Sequence, residues 1–301
     1  MTRAAAIAFR WQMRMAVVQA WGSSLLPFFL SAAVLGAGVC LTARLSDAGA
    51  VASRVELLWG QWTLPFRDTP REAVRAVYAT LASWGQTIGL LVLLMGTTGY
   101  LPTSLEPSAA AVLLSKPPPR WSLLAGRFLG IVALAAVWGL MFVGGTWLAL
   151  GLRVQVWEPT YLLSGPWLVL DFAAVASFAA ILAVYTRSAA VCIFGSAAFW
   201  LLCLGMNVGR HAVHTTASLE GMPASFHFLV EAGYWMLPKP ADSTLLMLDA
   251  LQAGPWVPGI LDGRALVEAG LLLPGPIIAS ELLFALVMLV LAAYEFATTD
   301  Y

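Results

Sequence analysis

The chain has 301 residues, of which 60% are hydrophobic and 11% charged, with zero formal net charge. Soluble domains carry roughly 25% charged residues, so this chain lacks the polar surface to solvate a globule, and a bilayer is the expected solvent. Zero net charge excludes any electrostatic reason to expect nucleic acid or an acidic partner.

In chain order, the first element is basic and amphipathic. Arg3, Arg10 and Arg14 share one helical face, and Ile7, Phe9, Trp11, Met13, Met15, Val17 and Val18 supply the apolar remainder. Residues 1–21 are therefore expected to form a helix lying on an anionic membrane surface. The next apolar run is longer than the roughly 7–15-residue core of a signal peptide.

A helix needs about 20 mostly apolar residues to cross a hydrocarbon core of about 30 Å. Six runs qualify: Gly22–Ala43, Leu81–Leu101, Trp121–Leu150, Ser164–Tyr185, Ser188–Asn207 and Pro276–Phe296. Backbone in lipid must satisfy its own hydrogen bonds, so each run is predicted to be a helix. Aromatic residues near the run ends, such as Trp21, Trp84, Tyr100, Trp121, Trp147, Trp167, Tyr185 and Tyr294, fit interfacial anchors. The expected class is an all-α integral membrane protein of one domain.

The connections are unequal. In the first loop, residues 44–80, Thr69-Pro70-Arg71-Glu72 is a helix start that leads unbroken into the second run. The second loop, residues 101–120, opens with the capping box Thr103-Ser104-Leu105-Glu106 and continues through a short apolar helix over Ala109 to Leu114. Pro117, Pro118 and Pro119 stop that helix and stiffen the chain up to Arg120. A tight hairpin is expected at Thr186-Arg187. The fifth loop, residues 208–275, carries six acidic against three basic residues and helix starts at Asp242-Ser243 and Asp262. Its Phe226, Phe228, Tyr234, Trp235 and Met236 are expected to be partly buried in a leaflet, with short helices capping the bundle.

Charges inside the runs are functional suspects. Arg127 lies about two turns into the third run and is expected to snorkel to the interface. Asp171 and Glu281 lie at similar depth in the fourth and sixth runs, as candidates to line an outer vestibule and meet substrate. Arg153 is the expected partner of Asp171. The three cysteines, Cys40, Cys192 and Cys203, sit in apolar runs as packing residues. His211, His214 and His227 lack the His-Glu-x-x-His spacing of a zinc site, so no metal or catalytic site is expected. The only lysines, Lys116 and Lys239, follow Ser115 and Pro238, so neither belongs to a phosphate-binding loop.

One local stretch resembles a known family. Glu106, then Leu113-Leu114-Ser115-Lys116-Pro117, Arg120 and Leu123-Leu124-Ala125-Gly126-Arg127-Phe128-Leu129-Gly130, is similar to the coupling segment of type-2 ABC transporter permeases. Ser108, Pro118 and Pro119 depart from the usual pattern. The resemblance implies a six-span permease whose segment between the second and third spans docks on a cytoplasmic ATPase, with Glu106, Leu113, Leu114, Lys116, Pro117 and Arg120 at the contact. Arg3, Arg10 and Arg14 would belong to an elbow helix at the membrane surface. The resemblance further implies two ABC ATPase subunits as partners, holding ATP and Mg. It also implies a second copy or related permease, a cell (inner) membrane location and cytoplasmic termini, with no cofactor in this chain. The reading on this basis is the membrane-spanning, non-enzymatic subunit of an exporter. The alternatives are a passive channel, a secondary carrier or a membrane-anchored assembly factor.

Overall fold

The structure, a computed structural model, describes residues 3–22, 25–47, 53–66, 70–102, 120–215, 222–253 and 263–298. The chain forms a helical bundle in which five helices are long and apolar enough to cross a membrane, which makes it a multi-pass membrane protein. They are Arg71–Tyr100, Trp121–Val154, Pro159–Thr186, Ala189–Thr215 and Pro274–Thr298, with a shorter apolar helix at Pro27–Leu41.

Helix α1 (Arg3–Gly22) precedes α2 (Leu25–Leu41). The first loop contains an antiparallel sheet, β1 (Arg44–Asp47), β2 (Ser53–Leu57) and β3 (Trp62–Phe66), in the order β1-β2-β3. The registers pair Arg44 with Glu56 and Ser53 with Phe66. These short strands were not expected from the sequence, although Trp62, Leu64 and Phe66 of β3 do recur at every second position. As predicted, α3 (Pro70–Trp84) runs into the membrane without a break, through a π-helical turn at Gly85–Gly89 and α4 (Leu90–Thr97). In that turn Gln86 Nε2 donates to Ser164 O at 3.1 Å.

The remaining helices are α5 (Arg120–Val154), α6 (Ser164–Thr186), α7 (Ala189–Thr215), α8 (Ala224–Met236), α9 (Pro240–Ala250), α10 (Gly263–Glu268) and α11 (Pro274–Thr298). The hairpin predicted at Thr186-Arg187 is present, with Arg187 in the left-handed region at φ 52°. Helix α6 is the axis of the bundle. Its small residues Ala174, Ala176, Ala179, Ala180 and Ala183 are fully buried, so neighbouring helices approach it from several sides. Phe199 of α7 stacks on Phe178 of α6 at 4.2 Å and on Phe284 of α11 at 5.6 Å, joining three helices. Leu140, Leu202, Leu283 and Leu286 face outward, as lipid contact requires.

The two ends of the bundle are built differently. At one end α1 lies against the start of α5 through Gln12, Ala16 and Ala20, spaced one turn apart and buried. Glycines make this approach possible: a Cβ on Gly126 would stand 2.7 Å from Phe9 O, and one on Gly130 would stand 2.6 Å from Ala16 Cβ. The pair Gly126 and Gly130 thus serves packing within the chain. At the other end sit the sheet, α8, α9 and α10. Arg75 fastens this end, donating Nε to Glu158 and Nη1 to Gln252 Oε1, both at 2.8 Å.

Two charged residues depart from expectation. Arg127 does not snorkel: it is buried, and Nε donates to Tyr100 O at 3.0 Å while Nη2 donates to Gln19 Oε1. Its guanidinium lies between α1, α5 and the end of the Arg71–Tyr100 helix, where two protein acceptors replace water. Arg153 does not partner Asp171 but donates to Ala43 O at 3.0 Å, beyond the end of α2. Depth decides this, because Arg153 occupies the last turn of α5 whereas Asp171 lies well inside α6.

Candidate functional site

Helices α6 and α11 start at the same end of the bundle, and Asp171 and Glu281 are each the eighth residue of their helix. Seven residues of rise put both roughly 10 Å in from that end. The expectation of equal depth holds, and the two carboxyls lie side by side, close enough to act on each other electrostatically. The expectation that they line an open vestibule does not hold. Both are fully buried, because a segment of the fifth loop fills the space above them.

That segment is Lys239-Pro240-Ala241-Asp242-Ser243, at the start of α9. Lys239, Asp242 and Ser243 have no solvent exposure. Flanking prolines direct the chain inward, since Pro240 at the first turn of α9 needs no backbone donor. The segment is fastened to three spanning helices. Ser243 Oγ lies 2.9 and 2.7 Å from the two Asp171 oxygens on α6. On α7, Asn207 Oδ1 accepts the Ala241 amide at 3.2 Å, and His211 Nε2 lies 2.6 Å from Asp242 Oδ1. On α11, Glu281 Oε1 accepts the Lys239 amide at 3.0 Å, and Lys239 Nζ donates to Ser280 Oγ at 2.6 Å.

The lysine ammonium is well housed. It also reaches Leu237 O at 3.2 Å and lies 4.7 Å and 5.1 Å from the centres of the Tyr234 and Trp235 rings. Burial pushes its pKa down to about 8, a shift opposed by the negative charges of Glu281 and Asp242. Tyr234 donates its hydroxyl to Asp242 Oδ2, so Asp242 accepts from both Tyr234 and His211. Burial, and then the charge of Asp242, drive the Tyr234 phenol above its ordinary value.

A more open ring of charge surrounds this core. Arg210 lies 4.0 Å above the Tyr234 ring and pairs with Glu231 at 2.8 Å, which His214 approaches at 2.7 Å. Burial alone would raise the Glu231 pKa. The hydrogen bonds from His214 and Arg210 outweigh it and hold the carboxyl below its ordinary value.

These histidines are not in a loop. Helix α7 runs on to Thr215, eight residues past the Asn207 expected to end the fifth apolar run. Polar residues end the apolar run there, but the helix continues because α8 and α9 cover its polar face. Of the five apolar residues expected at a leaflet, Tyr234 is enclosed by protein, while Phe228 and Met236 face outward from it.

No group of three His, Cys, Asp or Glu side chains among the described residues is placed to hold a metal ion. The cluster instead offers three buried atoms with unused hydrogen-bonding capacity, Asn207 Nδ2, His211 Nδ1 and Glu281 Oε2. Sequence reasoning singled out Asp171 and Glu281 but passed over Lys239, Asp242, Ser243 and Tyr234. The available signal was a scarce lysine set between two prolines in an otherwise acidic loop.

The other candidate residues are far from this cluster or outside the described residues. Glu106, Leu113, Leu114, Lys116 and Pro117 lie outside them, and Arg120 is the first residue of α5. Arg3 is the first residue of α1, and Arg10 and Arg14 are exposed on that helix. Neither a protein-family model nor a curated protein matches the chain in sequence.

Proposed function

We propose that the chain is the membrane-spanning subunit of an ATP-binding cassette exporter, driven by a separate ATPase. In this reading α2 is a sixth span, α1 is a surface elbow, and the segment around Glu106, Leu113, Leu114, Lys116 and Pro117 is a cytoplasmic coupling helix. Two ATPase subunits, holding ATP and Mg, would work with two permease copies in the inner membrane.

The observation that carries the reading is the placement of Arg127. The segment between Pro102 and Arg120 leaves the end of the second span and returns at the start of α5. Arg127 ties those two roots together through Tyr100 O, and ties both to α1 through Gln19. A push on the segment would therefore move three helices as one unit, which is what coupling to a nucleotide cycle demands.

The test uses the tagged full chain in lipid nanodiscs after purification from its own cell. It should bring down, in equal amount, a polypeptide with a Gly-Lys-Ser/Thr phosphate-binding loop, and the complex should hydrolyse ATP. Glu106→Lys should abolish both retention and stimulated hydrolysis while leaving insertion intact. Orientation has an independent check. The three native cysteines are buried, so a Ser115→Cys thiol can be read by a membrane-impermeant maleimide. Labelling from outside intact cells, or hydrolysis unaffected by Glu106→Lys, would overturn the coupling role. A secondary carrier is the rival separated here, because its transport would need no ATPase.

A further inference from the structure

The Asp171 and Glu281 pair has a hydrogen-bond inventory that the described residues alone do not complete. Glu281 Oε1 accepts the Lys239 amide. Glu281 Oε2 accepts from no N–H or O–H group among the described residues. The neighbour its carboxyl meets is another carboxyl, that of Asp171. Ionised carboxylates only accept, so two of them bond each other only when one carries a proton. Ser243 cannot supply the missing donor, because its single hydroxyl proton is directed at Asp171. Lys239 Nζ is committed to Ser280 Oγ, Leu237 O and two aromatic rings.

The titratable neighbours have partners of their own. On α9, Asp242 holds His211 and Tyr234, and on α7, Arg210 pairs with Glu231 of α8. The Cys203 thiol of α7, also buried, is a weak donor at best. We propose that Asp171 and Glu281 form a binding site for one exchangeable proton, and that its occupancy locks α9 into the bundle.

The lock follows from where the two carboxyls sit. Asp171 is on α6, Glu281 is on α11, and each also holds the Lys239–Ser243 segment. With the proton, the pair is one hydrogen bond across two spanning helices. Without it, two adjacent anions share a buried site with one ammonium, and their repulsion acts on both helices and on α9. Deprotonation would thus draw α9 out and admit water to the bundle. The site does not depend on the exporter reading, since a proton would bind here whatever drives the chain.

The test is infrared difference spectroscopy of the full chain in lipid nanodiscs during a pH change. The wild type should show the carbonyl stretch of a protonated carboxylic acid, shifted in deuterated water and lost on alkalinisation. Asp171→Asn and Glu281→Gln should each remove that band, because an amide N–H stands in for the missing donor. A Thr244→Cys reporter on α9 reads the lock. Its maleimide labelling should rise with pH by more than the thiolate fraction accounts for. In the Glu281→Gln background it should follow the thiolate fraction alone. No such band in the wild type, or a band that survives in both amide variants, would overturn the site. Equal labelling in the two backgrounds would overturn the lock. Loss of the band on adding sodium chloride at constant pH would assign the pair to a metal cation and overturn the proton site. The wild-type spectrum decides the proton if either variant fails to insert.

Discussion

The two ends of the bundle hold their helices by opposite means. At the sheet end, α9 is fixed to α6, α7 and α11 by directional hydrogen bonds among fully buried groups. At the α1 end, α1 and α5 touch backbone to backbone through Gly126, Gly130 and Ala16, with the Arg127 guanidinium as a polar tie. Buried hydrogen bonds are position-specific, and each donor left without an acceptor is costly. Small-residue packing is short-range but tolerates sliding along the contact. One end therefore resists displacement until a titratable group changes, while the other can pass a displacement on. On the proposed exporter reading, that division suits a protein moved from the α1 end and gated at the sheet end.

If this contrast is right, the largest stability loss will come from the polar end. Asp242→Ala strips the acceptor from two buried donors, Tyr234 O–H and His211 Nε2–H. At about 1–3 kcal/mol for each orphaned donor, the expected loss is about 2–6 kcal/mol. Thermal unfolding in nanodiscs would show it, and Asp242→Asn, which keeps one acceptor, should lose less. A negligible change in Asp242→Ala would mean that α9 is held by apolar packing instead.

The α1 end should break by bulk. In Gly130→Val the new Cβ would fall within 2.6 Å of Ala16 Cβ, and overpacking of that kind costs about 1–3 kcal/mol. Ala16→Gly removes the atom it strikes, so the double variant should recover most of the loss, a coupling that a double-mutant cycle measures. Additive effects would place the contact elsewhere.

The features legible in the sequence show the same division. Long apolar runs, the Thr69-Pro70-Arg71-Glu72 start and the Thr186-Arg187 hairpin depend on local chemistry, and the helices stand where that chemistry puts them. Asp171 and Glu281 were matched in depth because helical rise is a linear ruler. Their burial was not legible, because it comes from Lys239–Ser243, a segment distant in sequence from Asp171 that folds back between the helices. Arg127 was misjudged for a related reason. Snorkelling is the solution for an isolated helix, and the acceptors that replace water, Tyr100 O and Gln19 Oε1, belong to other elements. The extension of α7 to Thr215 likewise needed the polar face of α7 to be covered by α8 and α9. Tertiary cover is what an apolar-run reading leaves out.

The smallest effect tests the rim between these regimes. The Glu231 side chain is 34% exposed and pairs with Arg210, so solvent screening limits the pair to about 0.2–1 kcal/mol. Its carboxyl is held below the ordinary glutamate value, burial notwithstanding, by His214 and Arg210. A depressed folded pKa adds stability above the unfolded value and loses it as pH falls through the folded one. The midpoint difference between wild type and Glu231→Gln should therefore be positive near neutrality and be lost as pH falls through the folded glutamate value. Glu231→Gln should leave the infrared band assigned to Asp171 and Glu281 unchanged, because the rim pair and the buried proton are separate interactions. A change in the infrared band in Glu231→Gln would mean that the rim and the core titrate as one network, and the contrast between a buried lock and a screened rim would fail.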